Sequence, residues 1–189
     1  MTTSASQIRA PFPYALSRRL TLVGIVGFAA AVAAASQVAI PLPWTPVPIT
    51  LQPMLVVLAG MWLGPVAGMT SMLLYLAAGA AGFPVFTPIG APGFARFFGP
   101  TGGYLIAYPA AAFIAGMLAA RSTTFGMRWL AALVGIAVIY VGGIAQLSLL
   151  SGGFVRAVQV GVAPFALLDL GKAFVAAAIS GSRRRPSTK

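Results

Sequence analysis

Asp169 is the only acidic side chain among 189 residues, and Lys172 follows it three positions later inside the apolar run Pro164-Phe-Ala-Leu-Leu-Asp-Leu-Gly-Lys-Ala-Phe-Val-Ala-Ala-Ala178. A carboxylate and an ammonium at i and i+3 share one helix face. Together they can accept from and donate to a ligand that carries both kinds of polar group. A charge near the centre of a membrane helix is disfavoured by about 2.5 to 3.5 kcal/mol on insertion scales, so a pair retained there marks a binding site. The competing role is a mutually neutralising pair that only fixes helix packing. Other chemistry is scarce. With no Cys, no His and a single carboxylate, the chain lacks a thiol nucleophile, an ordinary zinc or haem ligand set and the acid/base pair of an enzyme. An intramembrane carboxylate can also relay protons, so a proton-coupled carrier using Asp169 remains the alternative.

The elements that position this pair are membrane helices. Hydrophobic residues make up 59% of the chain and charged residues 7%, mean hydropathy is +0.95, and soluble domains average about 25% charged. The net charge of +11 forms no basic stripe with interleaved aromatics, so it does not point to nucleic acid. Runs long enough to cross about 30 Å of hydrocarbon fall near 19–36, 49–64, 65–82, 101–120, 129–150 and 164–181. The second and third meet at Gly64 and Pro65 as a tight helical hairpin, or else form one long kinked helix. Charge favours six spans. With a cytoplasmic N-terminus, Arg9, Arg18, Arg19, Arg121, Arg128, Arg183, Arg184, Arg185 and Lys189 lie inside and only Arg96 and Arg156 outside, as the positive-inside rule requires. Arg18 and Arg19 before an Ala-rich run also look like a signal peptide. That run exceeds the usual length of about 7 to 15 residues, so it is read as a retained first span. The fold class expected is an all-α integral membrane protein with both termini cytoplasmic. It is one domain over 1–189: an N-terminal segment 1–18, a bundle 19–181 and a basic tail 182–189.

Two connections on the outer side are unusual. Residues 37–48 contain four prolines, which favour an extended, stiff chain. Residues 83–100 are apolar and aromatic, too hydrophobic for a solvated linker, and should fold back over the bundle. With Pro164 in the first turn of the last helix, Asp169 and Lys172 lie about 8 and 12 Å below its outer end. They would line an outward-opening cavity for a small ligand with an apolar body and a polar head. Gln52, Thr50, Tyr75 and Tyr104 are candidates for neutral polar contacts.

The run Pro46-Val-Pro-Ile-Thr-Leu-Gln52, then Leu58-Ala-Gly60, Leu63-Gly-Pro65, Leu74-Tyr-Leu and Gly79-Ala-Ala-Gly-Phe-Pro-Val-Phe86 resemble the successive motifs of the BioY family. So do Phe98-Gly-Pro-Thr-Gly-Gly-Tyr-Leu-Ile106 and Pro164-Phe-Ala-Leu-Leu-Asp-Leu-Gly-Lys172. The resemblance covers about residues 15–180. It implies a biotin-specific substrate-binding (S) component of an energy-coupling-factor (ECF) transporter in the bacterial cytoplasmic membrane. The six-helix bundle so implied has an outer site closed by the first and third outward connections. It implies that Asp169 and Lys172 contact the biotin ring system, consistent with a ureido group that both donates and accepts. Arg96, the one charged residue of 83–100, is the candidate cation for the biotin carboxylate, with a lipid or interfacial anchor as its other role. The sequence departs from the family at Thr87, Pro88, Ile89 and Pro92, so contacts on that stretch are not carried over. No cofactor is expected. Gly99-Pro-Thr-Gly-Gly103 lacks the Lys of a phosphate-binding loop, so any ATP is hydrolysed elsewhere; the resemblance implies partner ATPases that act through a membrane coupling protein. Ala29, Ala30, Ala33 and Ala34, small residues four apart, match the family's contact surface for that coupling protein, without distinguishing which stripe faces it. Membrane lipids are the remaining partners. Whether such a chain transports without its partners stays open.

Overall fold

The computed structural model describes residues 18–121 and 123–181. Arg9, Arg183, Arg184, Arg185 and Lys189 therefore lie outside the described residues. The elements run α1 Arg18–Gln37, β1 Ile40–Leu42, β2 Thr45–Ile49, α2 Gln52–Leu63, α3 Pro65–Ala80, a 3₁₀ segment Gly93–Phe98, α4 Gly102–Ala119, α5 Phe125–Leu150, α6 Phe154–Gly161 and α7 Ala166–Ser180. Six of these helices occupy the expected spans. Two features were not expected. Residues 40–49 form an antiparallel ribbon, with Ile40 opposite Ile49 and Leu42 opposite Thr45, rather than a merely extended strap. A two-stranded ribbon has only edges, where prolines that lack an N–H are tolerated. The 151–163 connection contains α6, bent 57° from α7.

Helices α1, α4 and α5 are long and apolar enough to cross a membrane, and α6 with α7 qualifies as one bent span. At 12 and 16 residues, α2 and α3 reach only about 18 and 24 Å. They form the hairpin. Gly64, at φ +88°, breaks the helix and donates to Gly60 O at 2.9 Å. Pro65 then starts α3, where its missing N–H costs no hydrogen bond. The return is tight enough that a Cβ on Gly68 would meet the backbone of Gly60, which a single kinked helix would hold about 12 Å away.

Small residues set the rest of the packing. A Cβ on Gly60 would strike Ala112 of α4, and one on Gly103 would strike Gly142 of α5. In lipid, where apolar surface gains little from leaving the solvent, such close backbone approach supplies the contact energy. Helix α4 is the central element, packed against α2, α3 and α5.

Long-range hydrogen bonds gather the connections at one end. Ser36 Oγ donates to Val85 O at 2.7 Å, and Gln37 Nε2 to Phe86 O at 3.0 Å. Gln146 Nε2 donates to Phe97 O and Gly99 O at 2.8 and 2.7 Å. The 83–100 connection thus folds back over the bundle as expected. Thr45 Oγ1 donates to Val160 O at 2.6 Å, which ties the ribbon to α6. At the opposite end Arg128 Nε donates to Ala177 O at 3.2 Å, a cation against the last turn of α7, where the helix dipole favours it.

Candidate functional site

Helix α7 begins at Ala166, after the bend, and not at Pro164. Asp169 therefore lies in its first turn, about 4.5 Å along the axis instead of 8 Å. There the amide ends of the helix favour an anion. Asp169 is 4% exposed. Lys172 Nζ donates to Asp169 Oδ1 at 2.7 Å, the i,i+3 pairing expected from the spacing. Tyr140 OH, from α5, donates to Asp169 Oδ2 at 2.5 Å. Both carboxylate oxygens are satisfied, which a buried charge requires.

Gln52, the first residue of α2, is buried and donates through Nε2 to Tyr75 OH at 2.8 Å. Thr50 Oγ1 accepts from Gln52 N at 3.3 Å. Tyr75 stacks on Tyr108 with centroids 6.3 Å apart and meets the edge of Phe86 at 5.4 Å. Tyr104 OH donates to Gly161 O at 2.9 Å, which fixes α4 to the end of α6.

Arg96 is 4% exposed. Its Nη1 and Nη2 donate to the carbonyls of Ile89 and Thr87, closing the 83–100 connection on itself. The turn this needs runs through Gly90 at φ +101°, where an added Cβ would also meet Nη1. Burial pushes the Arg96 pKa below the ordinary guanidinium value, but the group stays a cation. Its Nε is buried without a hydrogen-bond partner among the described residues.

Asp169, Lys172, Arg96, Tyr75, Gln52 and Tyr104 all line one cleft. It holds about 670 Å³ of empty space, a figure that includes space open to the outside. The floor is helical and the roof is the ribbon and the 83–100 connection, which contribute Val47, Pro48, Phe86 and Thr87. Thr87, one of the residues from which no contacts were carried over, thus lines the cleft. Sequence reasoning missed Tyr140, Tyr108, Phe86 and Phe165. A usable signal was present, since every tyrosine among the described residues lines the cleft, and an intramembrane tyrosine needs a partner for its hydroxyl.

The alanine positions separate. Ala29 is buried and Ala33 packs against the core, whereas Ala30 and Ala34 are exposed on the outer face of α1.

The BioY family model matches residues 4–188. The chain belongs to the BioY family. A probable biotin transporter BioY from Pyrococcus horikoshii is 44% identical over 135 residues, covering 71% of this chain and 79% of the relative. The biotin transporter BioY of Thermotoga maritima is 36% identical over 163 residues, covering 86% of this chain and 94% of the relative. The crystal structure of an S-component for biotin from an ECF-type ABC transporter superposes with a TM-score of 0.80 at 28% identity, covering 88% of this chain and 93% of that one. This BioY-family chain is a helical multi-pass membrane protein with the fold of that S-component.

Proposed function

We propose that the protein binds biotin and mediates its uptake across the cytoplasmic membrane as the S component of an ECF-type transporter. It is a substrate-binding membrane protein, not an enzyme. The observation that carries the reading to this chain's own residues is the Asp169–Lys172 pair, held in a cleft walled by tyrosines and apolar side chains. A ureido head presents N–H donors to the carboxylate and a carbonyl to the ammonium, while Tyr75, Tyr108 and Phe86 offer apolar faces to the ring and stem. Gln52, Tyr75 and Tyr104 complete the lining. Arg96 is the cation for the valerate carboxylate: two of its five N–H groups hold loop carbonyls, and the unpaired Nε belongs to a side chain that lines the cleft.

The topology proposed with this function is six spans with both termini cytoplasmic. Arg18, Arg19, Arg121 and Arg128 then lie at the inner end, and Arg96 and Arg156 at the outer. ATP hydrolysis comes from partner ATPases through the coupling protein. Of the alanine stripes, Ala30 and Ala34 are the pair free to meet that protein, since Ala29 and Ala33 face the bundle. Exposed Leu22, Val23 and Val26 contact lipid or that partner.

The test is equilibrium binding of labelled biotin to the purified protein, repeated with Asp169→Asn, Lys172→Met and Arg96→Ala. Tight binding lost in the first two variants supports the assignment. If the wild type bound no biotin, the functional reading would fail. Retained binding of both biotin and its methyl ester by Arg96→Ala, with the wild type's preference intact, would remove the carboxylate assignment alone.

A further inference from the structure

We propose that Tyr140 is a positioning residue of the head-group site, setting the plane of the Asp169 carboxylate from a second helix. The inference rests on the biotin reading of the cleft. Asp169 and Lys172 belong to one helix, and a single contact from Lys172 Nζ to Oδ1 leaves the carboxylate free to rotate about its Cβ–Cγ bond. Tyr140 removes that freedom. Its hydroxyl reaches Oδ2 at 2.5 Å from α5, 29 residues earlier in the chain. Its ring packs against both apolar clusters of the bundle, so the donor is itself held in place.

An ionised carboxylate has about four lone-pair positions. Lys172 and Tyr140 occupy one on each oxygen, and Asp169 lines the cleft beside them. The remaining acceptor positions are the ones left for ligand N–H groups. An ammonium has three donors and this one uses a single donor on Asp169, so Lys172 retains others for a ligand carbonyl. The choice of a tyrosine is informative. A second cation here would leave the pair with net positive charge, in a cleft that already holds Arg96. A phenol orients the carboxylate while keeping the Asp169–Lys172 pair neutral. Site geometry held by a supporting shell on rigid helices is what preorganised recognition requires.

The experiment combines biotin binding with infrared spectroscopy on full-length protein carrying aspartate labelled with 13C at its side-chain carboxyl. A single aspartate in the sequence makes that band Asp169's alone. Tyr140→Phe keeps the ring and removes the hydroxyl. It is expected to shift the carboxylate stretching band in the ligand-free protein and to weaken biotin about tenfold, the size of a lost hydrogen bond to a charged group. A weakened affinity with an unmoved band would mean that Tyr140 acts only by packing, and would overturn the proposal. So would a shifted band with unchanged affinity. Wild-type protein that bound no biotin would overturn the biotin reading itself and take the role of Tyr140 with it. Intact wild-type binding with no effect of Tyr140→Phe on either readout would remove only Tyr140.

Discussion

The floor and the roof of the cleft each hold a cation, and they satisfy it in different ways. On the floor, Lys172 meets a carboxylate one helical turn away, and that carboxylate is braced by Tyr140 from a neighbouring helix. In the roof, Arg96 has no anion among the described residues; it is held by the carbonyls of its own connection at Thr87 and Ile89. The floor is thus a neutral, geometrically fixed donor and acceptor set on rigid elements. The roof keeps net positive charge on an irregular segment whose shape depends on that same side chain. Under the proposed function the labour divides: the floor would read the head group, whereas Arg96 would both draw in an anionic tail and latch the covering loop.

The comparison is tested hardest at the floor. Removing one partner of a buried ion pair costs about 3 to 5 kcal/mol, so Asp169→Asn is expected to lower thermal stability in detergent and to weaken biotin by at least about 100-fold. Replacing the pair by apolar residues is often neutral. The double variant Asp169→Leu with Lys172→Met should therefore recover much of the lost stability while still binding no biotin. Recovered binding would show that the pair serves packing alone.

At the roof, Arg96→Gln should weaken biotin about tenfold, the size of a lost hydrogen bond to a charged group, and should speed hydrogen exchange across 83–92 without changing it at α7. It should also erase a preference for biotin over its methyl ester. Equal exchange in the variant and the wild type would refute the latch. Gly90→Ala keeps the Arg96 charge but forces a side chain into φ +101° and against Nη1, at a cost of about 1 kcal/mol or more. A severalfold faster biotin dissociation is expected, smaller than the Arg96 effect. The smallest effect on binding lies on the exposed face of α1. Ala34→Leu on the exposed face of α1 should leave biotin affinity of the isolated protein unchanged, yet reduce uptake by cells that carry the coupling protein and ATPases. Unimpaired uptake would move the partner surface elsewhere.

The sequence by itself determined what depends on composition and near neighbours. Hydropathy located the apolar helices because crossing lipid demands a long apolar run. Gly64-Pro65 located the hairpin break, because a glycine followed by a proline stops one helix and starts the next. Asp169 and Lys172 were paired because i and i+3 share a face whatever the rest of the fold does. Only the tertiary structure decided what depends on distant contacts. Residue spacing along the chain could not pair Tyr140 with Asp169, nor gather Tyr75, Tyr104 and Tyr108 around them, because α4 and α5 approach through Gly103 and Gly142 in space, not in sequence. The bend between α6 and α7 moved Asp169 into a first turn, and burial of Ala29 distinguished the two alanine stripes. Arg96 shows the division within one residue: its charge was legible at once, but its hold on Thr87 and Ile89 exists only because Gly90 turns the backbone back toward it.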